Sequence, residues 1–401
     1  MKSSFYRFSL LACISLFSVA CSTQEKLLDK EFLIEGKISG IEDGIGIDLF
    51  RWDGDAGRHV ATDTVRNGRF SFKVEAESDM ERLTIDPSGE GFLSMSLGVW
   101  VAPRTKIKIR GKGKLYGLWD VKSSIPYQKE ENRYTNNSRD IIAERARLSE
   151  DSDDLQAKAN AATSEDKALA YRKAADSLGV INKSLRIKEL YADMEIMKQT
   201  NTSPVWLRKM RGITQMLMYG RLDAEIDNDL RKKAEELYGR MSEEDKNTFP
   251  GYLITSQLFP PHIVRVGDDM ADADFFDVNG KTKHISDYLG KYLLLDFWSS
   301  GCGPCLMAFP EMKEISKTYL ENLTIISISL DTDNRWKETM GNHDMPWVNI
   351  RDPKAMGGLI ASYGARGIPY YVIISPEGKV VDTWFGYANG LIKKKVGEKI
   401  K

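Results

Sequence analysis

The sequence is poor in cysteine and histidine, carries almost no net charge, and has no long apolar run after its first twenty residues. Four cysteines in 401 residues cannot build a disulfide framework: Cys13 and Cys21 lie in the leading stretch, and Cys302 and Cys305 form a lone C-x-x-C. A bridge inside that motif closes too short a loop to stabilise much through chain entropy, so the pair suits reversible chemistry better than stapling. Its two sulfurs are also half of what a closed zinc site needs, and His262, His284 and His343 are not at ligand spacing, so no metal is expected. With 57 basic and 58 acidic residues the chain lacks the basic field that would hold nucleic acid. Gly44-Ile45-Gly46 lacks the third glycine of a dinucleotide fingerprint, and there is no P-loop.

Lys2 and Arg7 precede an apolar run over residues 8–20 that is too short to span a membrane comfortably. Ser18 and Ala20 come before Cys21, and the chain then turns polar (CSTQEK). This resembles a bacterial lipoprotein signal at 1–20, with Cys21 as the lipidated residue and a membrane reached through that anchor. Ser18 departs from the leucine usual at its position. A simple secretory signal or an uncleaved anchor is the alternative; every reading places the protein outside the cytoplasm.

Three compositional patterns follow. Residues 31–115 hold short alternating runs such as EFLIEGKISG, RFSFKVEA and TKIKIRGKG, which predict an antiparallel β-sandwich-like domain. Asn67-Gly68, between VATDTV and RFSFKV, predicts a hairpin. Trp52, Trp100 and Trp119 are read as core or sheet packing in preference to a ligand-binding surface. Residues 126–258 switch to helical spacing, broken at Asn201-Thr202-Ser203-Pro204, where Ser203 is a predicted N-cap and Pro204 a first-turn residue. After Pro260-Pro261, residues 263–401 alternate apolar strands with helices, an α/β pattern.

Within that last segment, LLLDFWSSGCGPCLMAFP (293–310) reads as a buried strand, a Ser/Gly turn and a helix that begins at Cys302. Free N–H groups and the helix dipole stabilise a thiolate there, and the thiolate is the attacking species. Cys305, one turn further in, is more shielded. Cys302 is therefore the predicted nucleophile and Cys305 the residue that resolves a mixed disulfide.

DFWSSGCGPC resembles the active-site tract of thioredoxin-like proteins, and YGARGIPYYVII (363–374) resembles the segment carrying that family's cis-proline. The resemblance implies a thioredoxin-like fold for 263–401, with Pro369 as the cis-proline. Ile368, Pro369, Gly303 and Pro304 would line the substrate. Asp296 occupies the place of a buried acid that exchanges a proton with Cys305, its pKa raised by an apolar strand. Pro310 matches a helix-kinking proline. The export signal, together with an insertion before Pro369, is similar to the TlpA/ResA group of extracytoplasmic thiol–disulfide oxidoreductases. Gly301 replaces a common tryptophan, and Ala308 replaces a glutamate found in many of that group, leaving the acid's role to Asp296.

The implied activity is reduction of disulfides in client proteins. Electrons would come from a membrane or periplasmic thiol donor, with no cofactor beyond the Cys302–Cys305 redox-active disulfide. Gly303-Pro304 lacks the histidine of strongly oxidising relatives, which favours a reductant. A peroxiredoxin-like peroxidase using Ser299 and Arg351 is the alternative enzyme, and a binding or scaffold lipoprotein the alternative of another class.

Overall fold

A computed structural model describes residues 27–53, 56–89, 91–92 and 95–400. Cys13 and Cys21 lie outside the described residues. The first segment forms eight strands, β1 (Glu31–Ser39), β2 (Gly46–Asp53), β3 (Ala56–Thr64), β4 (Arg69–Glu75), β5 (Glu81–Ser88), β6 (Leu97–Val101), β7 (Lys106–Lys112) and β8 (Asp120–Lys122). They make two sheets, β4-β1-β7-β8 and β3-β2-β5-β6. Phe32, Ile34, Phe72 and Ile109 of the first meet Ile47, Leu49, Leu83 and Ile85 of the second in one buried core, as inner faces of period two require. The β1–β7 pair is parallel, an exception to the otherwise antiparallel pattern.

The Asn67-Gly68 turn forms, with both residues at positive φ and Arg66 and Arg69 exchanging backbone hydrogen bonds. The hairpin stops at that single antiparallel bridge and does not extend into a β3–β4 ladder. β3 departs to pair with β2 and β4 with β1, so the turn is a corner between sheets. Local turn chemistry reverses the chain, but burial of the flanking faces chooses the partner strand. A Cβ on Gly68 would stand 2.4 Å from the Ile38 carbonyl oxygen, so the corner needs glycine for space as well as for φ. Strand β6 was not legible as a strand because all five residues are buried and no alternation survives. Leu97, Val99 and Val101 enter the sandwich core and Trp100 the next core along. Trp119 is also buried, whereas Trp52 is 46% exposed, its indole N–H donating to Thr84 Oγ1.

Seven helices follow: α1 (Pro126–Asn137), α2 (Arg139–Asn160), α3 (Glu165–Met197), α4 (Pro204–Tyr219), α5 (Ala224–Tyr238), α6 (Glu243–Lys246) and α7 (Phe249–Leu258). Ser203 caps α4 by accepting the Trp206 N–H, with Pro204 in the first turn. No described helix is long and apolar enough to cross a membrane. The β and helical segments are joined through Glu131 of α1. It pairs with Arg82 of β5 and Arg208 of α4, and accepts the Trp100 indole N–H at 2.8 Å. These donors outweigh the desolvation that opposes its charge and hold its carboxyl at about 2.

The last segment is a seven-stranded sheet, β10-β9-β13-β12-β11-β14-β15. Its strands are β9 (Phe275–Phe276), β10 (Thr282–Lys283), β11 (Tyr292–Trp298), β12 (Leu323–Ser329), β13 (Val348–Arg351), β14 (Tyr370–Ile374) and β15 (Val380–Phe385). Helices α8 (Gly303–Thr318), α9 (Asp333–Asn342), α10 (Leu359–Ser362) and α11 (Leu391–Lys399) accompany it. β11, β12 and β13 are parallel, and β14 and β15 antiparallel. Helices α8 and α11 cover one face. Toward the other, Phe249 of α7 packs against the core that holds Leu359 and Ile360 of α10, so the helical segment shares this domain's core.

Replacing Glu131 with alanine leaves the partly buried Arg82 and the more exposed Arg208 without their shared acid, a change that costs about 3 kcal/mol, the low end for a buried pair because solvent screens Arg208. Urea unfolding followed by tryptophan fluorescence should show the transition of the β and helical segments moving to lower denaturant by that amount.

Candidate active site

Strand β11 is buried on both faces, and the two faces differ in what they hold. Leu293, Leu295 and Phe297 enter one core, and Leu294 and Trp298 the other, beneath α8. Asp296 falls on the α8 side by the strand's alternation and is 1% exposed. The chain then leaves the sheet, turns through Ser299–Gly301, and starts α8 with Cys302 as its N-cap. Cys302 and Cys305 are joined in a disulfide with Cα atoms 5.2 Å apart. Cys302 Sγ accepts the Cys305 N–H at 3.2 Å. That contact puts the first sulfur at the positive end of the helix, where negative charge is favoured. Cys302 is partly exposed and Cys305 only 1% exposed, beside Ala308 and Trp298.

The turn before Cys302 is held by a residue that sequence reading missed. Asp331, just beyond β12, accepts the Ser300 N–H at 2.7 Å and the Ser300 hydroxyl at 3.1 Å, and Arg335 donates to the same hydroxyl at 3.1 Å. Burial raises the Asp331 pKa against those hydrogen bonds. An acid directly after a buried strand (SLDTD) was the available signal, but its partner lies 31 residues away in sequence.

The Ile368–Pro369 peptide bond is cis. It stands at the start of β14, whose Tyr370 pairs with Phe297 of β11, so it shares a sheet end with the Cys302 turn. Pro369 itself is buried, while Gly303 and Pro304 are exposed and Ile368 partly so. Phe385, at the end of β15, pairs with Tyr370 and is 66% exposed. Its ring lies against Gly367 and adds an apolar surface that no sequence motif announced. Arg351, by contrast, sits at the end of β13 against Asp333, two strands from β11.

Desolvation raises the Asp296 pKa to about 7, against one opposing hydrogen bond from Ser327. Ser327 Oγ donates to Asp296 Oδ2 at 2.7 Å. Ala308 is fully buried, and Glu311 one turn on points to α11, where it accepts the Gly390 and Lys393 N–H groups. Glu311 thus caps another helix, and Asp296 is on the sheet face beneath the disulfide.

A family model described as Thioredoxin-like matches residues 290–380. The C-terminal domain is thioredoxin-like. Among curated proteins, the Thioredoxin-like protein YneN of Bacillus subtilis is 23% identical over 141 residues, which is 34% of this chain and 79% of that protein. The Thiol-disulfide oxidoreductase ResA of Bacillus thuringiensis is 29% identical over 120 residues, 29% of this chain and 68% of that protein. A crystal structure of the thioredoxin domain of a thiol-disulfide oxidoreductase from Bacteroides vulgatus aligns with 34% of this chain and 99% of that chain, at 23% identity and a TM-score of 0.32.

The raised Asp296 pKa has a direct stability consequence for the thioredoxin-like domain. Between the unperturbed value of 3.8 and about 7 the folded state holds a proton that the unfolded state has released. Stability is therefore lost as pH rises through that window and stays low above it. Asp296→Asn should be more stable than wild type at pH 8.5 by roughly 4 kcal/mol, the free-energy equivalent of that pKa difference. The difference should fade toward pH 4, as thermal unfolding at the two pH values will register.

Proposed function

We propose that the protein is a lipid-anchored, extracytoplasmic reductase of disulfides in client proteins. The observation that carries this reading is the pairing of a partly exposed sulfur at the α8 N-terminus with a buried one three residues on, above a buried acid titrating near neutrality. Relatives named thiol-disulfide oxidoreductases support the same chemistry.

In the dithiol form the Cys302 thiolate attacks one sulfur of a client disulfide. A mixed disulfide forms and the other client sulfur leaves as thiolate. Cys305 then gives its proton to the Asp296 carboxylate and attacks Cys302 Sγ. The bond to the client breaks, its second sulfur leaves, and two electrons have passed to the client. An acid with a pKa near the working pH is suited to take that proton and to return it when a membrane or periplasmic thiol donor reduces the Cys302–Cys305 bridge. Gly303, Pro304, Ile368 and Phe385 offer the apolar surface against which the client strand lies, with Pro369 shaping the backbone behind it. Cys21 carries the lipid that holds the domain at a membrane.

The dithiol form should reduce a disulfide-bonded test protein such as insulin, with Cys302→Ser inactive and Cys305→Ser accumulating mixed disulfides in cells. Full activity in Cys302→Ser, or a wild type inert toward every client and donor tried, sinks the proposal. Cys21→Ser should move the protein from the membrane fraction to the soluble extracytoplasmic fraction, as cell fractionation would show.

A further inference from the structure

Behind Asp296 runs a chain of hydrogen bonds that disulfide exchange does not by itself require. Ser327 of β12 pairs with Asp296 across the parallel β11–β12 ladder, is fully buried, and donates its hydroxyl to Asp296 Oδ2. Trp347, in the segment between α9 and β13, donates its Nε1–H to the same Ser327 Oγ at 2.8 Å. An indole nitrogen can only donate. Ser327 is therefore an acceptor toward Trp347, and its single proton is directed at Asp296. The Trp347 ring is held by an edge contact with Phe309 of α8, with centroids 6.2 Å apart.

We propose that Trp347 and Ser327 are positioning residues that keep Asp296 Oδ2 occupied as an acceptor, so that the proton exchanged with Cys305 is carried on Oδ1. This rests on the exchange reading above. In the resolving step the Cys305 Sγ–H bond breaks, its proton passes to Oδ1, and the sulfur's electron pair forms the bond to Cys302 Sγ while the client sulfur departs with the pair of the broken bond. A proton on Oδ2 would instead point at a hydroxyl already turned toward it.

The groups packed around Asp296 leave this chain as its polar support. Cys305 of α8 lies in the core on the same sheet face, and Ser327 donates from β12. From β14, Tyr371 stands across the antiparallel register. Its buried hydroxyl makes no hydrogen bond among the described residues. Burial, with the nearby Asp296, Tyr387 and Glu311, raises the phenol's pKa and keeps it neutral.

Removing the Ser327 hydroxyl withdraws a donor from the carboxylate and tightens its hold on a proton. Removing the Trp347 N–H frees the hydroxyl to turn and accept from a protonated Oδ2, which tightens it less. The test is a 13C NMR titration of the Asp296 carboxyl in the full chain, with near-ultraviolet circular dichroism confirming the fold of each variant. Ser327→Ala should raise proton affinity about tenfold, one pH unit, and Trp347→Phe about threefold. Ser327→Thr, which keeps the hydroxyl, should titrate with wild type. Trp347→Phe preserves the ring against Phe309 and carries the test alone if Ser327→Ala does not fold. A wild-type midpoint in Ser327→Ala or Trp347→Phe overturns the proposal, as does a midpoint in Ser327→Thr shifted as far as in Ser327→Ala. The titration is read without a client, so a wild type that reduces no disulfide would sink the exchange reading while the relay is still decided.

Discussion

A carboxylate in the middle of a doubly buried strand is the constraint around which the thioredoxin-like domain is built. Asp296 can be desolvated only because α8 lies across β11 and seals that face with Ala308 and Phe309, packed against Trp298 of the strand itself. The same helix, to cover the acid, has to begin at the end of β11, and that places Cys302 at its N-cap and Cys305 inside its first turn. One packing requirement thus sets the burial of the acid, the shielding of the second sulfur and the exposure of the first. Burial disfavours charge on Asp296, while the helix terminus at Cys302 is a place where negative charge is favoured.

Support for this arrangement comes from residues far apart in the chain. Asp331 pins the turn ahead of Cys302, Ser327 and Trp347 brace the acid from behind, and Glu311 ties α8 to α11. Each contact has a polar group satisfied in or near the core, where an unpaired one would be costly. Phe249 and Gly357 extend the support beyond the domain. A Cβ at Gly357 would meet the Tyr252 carbonyl oxygen of α7 at 2.6 Å, so the helical segment and the α/β segment touch backbone to backbone there. The helical segment in turn grips the β-sandwich through Glu131, with Trp100 inserted into its core.

Local pattern was enough to read much of this. Alternation announced β1, β4 and β7, Ser203-Pro204 announced the start of α4, and the C-x-x-C after a buried strand announced where a helix begins at a sulfur. Each depends on neighbours within a few residues. Strand β6 escaped because burial on both sides erases alternation, and Asn67-Gly68 was read as a hairpin because its turn chemistry says nothing about which sheets its flanks will join.

What the chain order alone determined was the class of chemistry and the succession of β, helical and α/β segments, because residue type, turn preference and helix start are short-range properties. Tertiary packing decided which carboxylate is desolvated, which hydroxyl answers it, and that Phe385 stands open beside Gly367. Those facts depend on which side chains from remote segments converge on one point, and no spacing along a single chain encodes a distance through space.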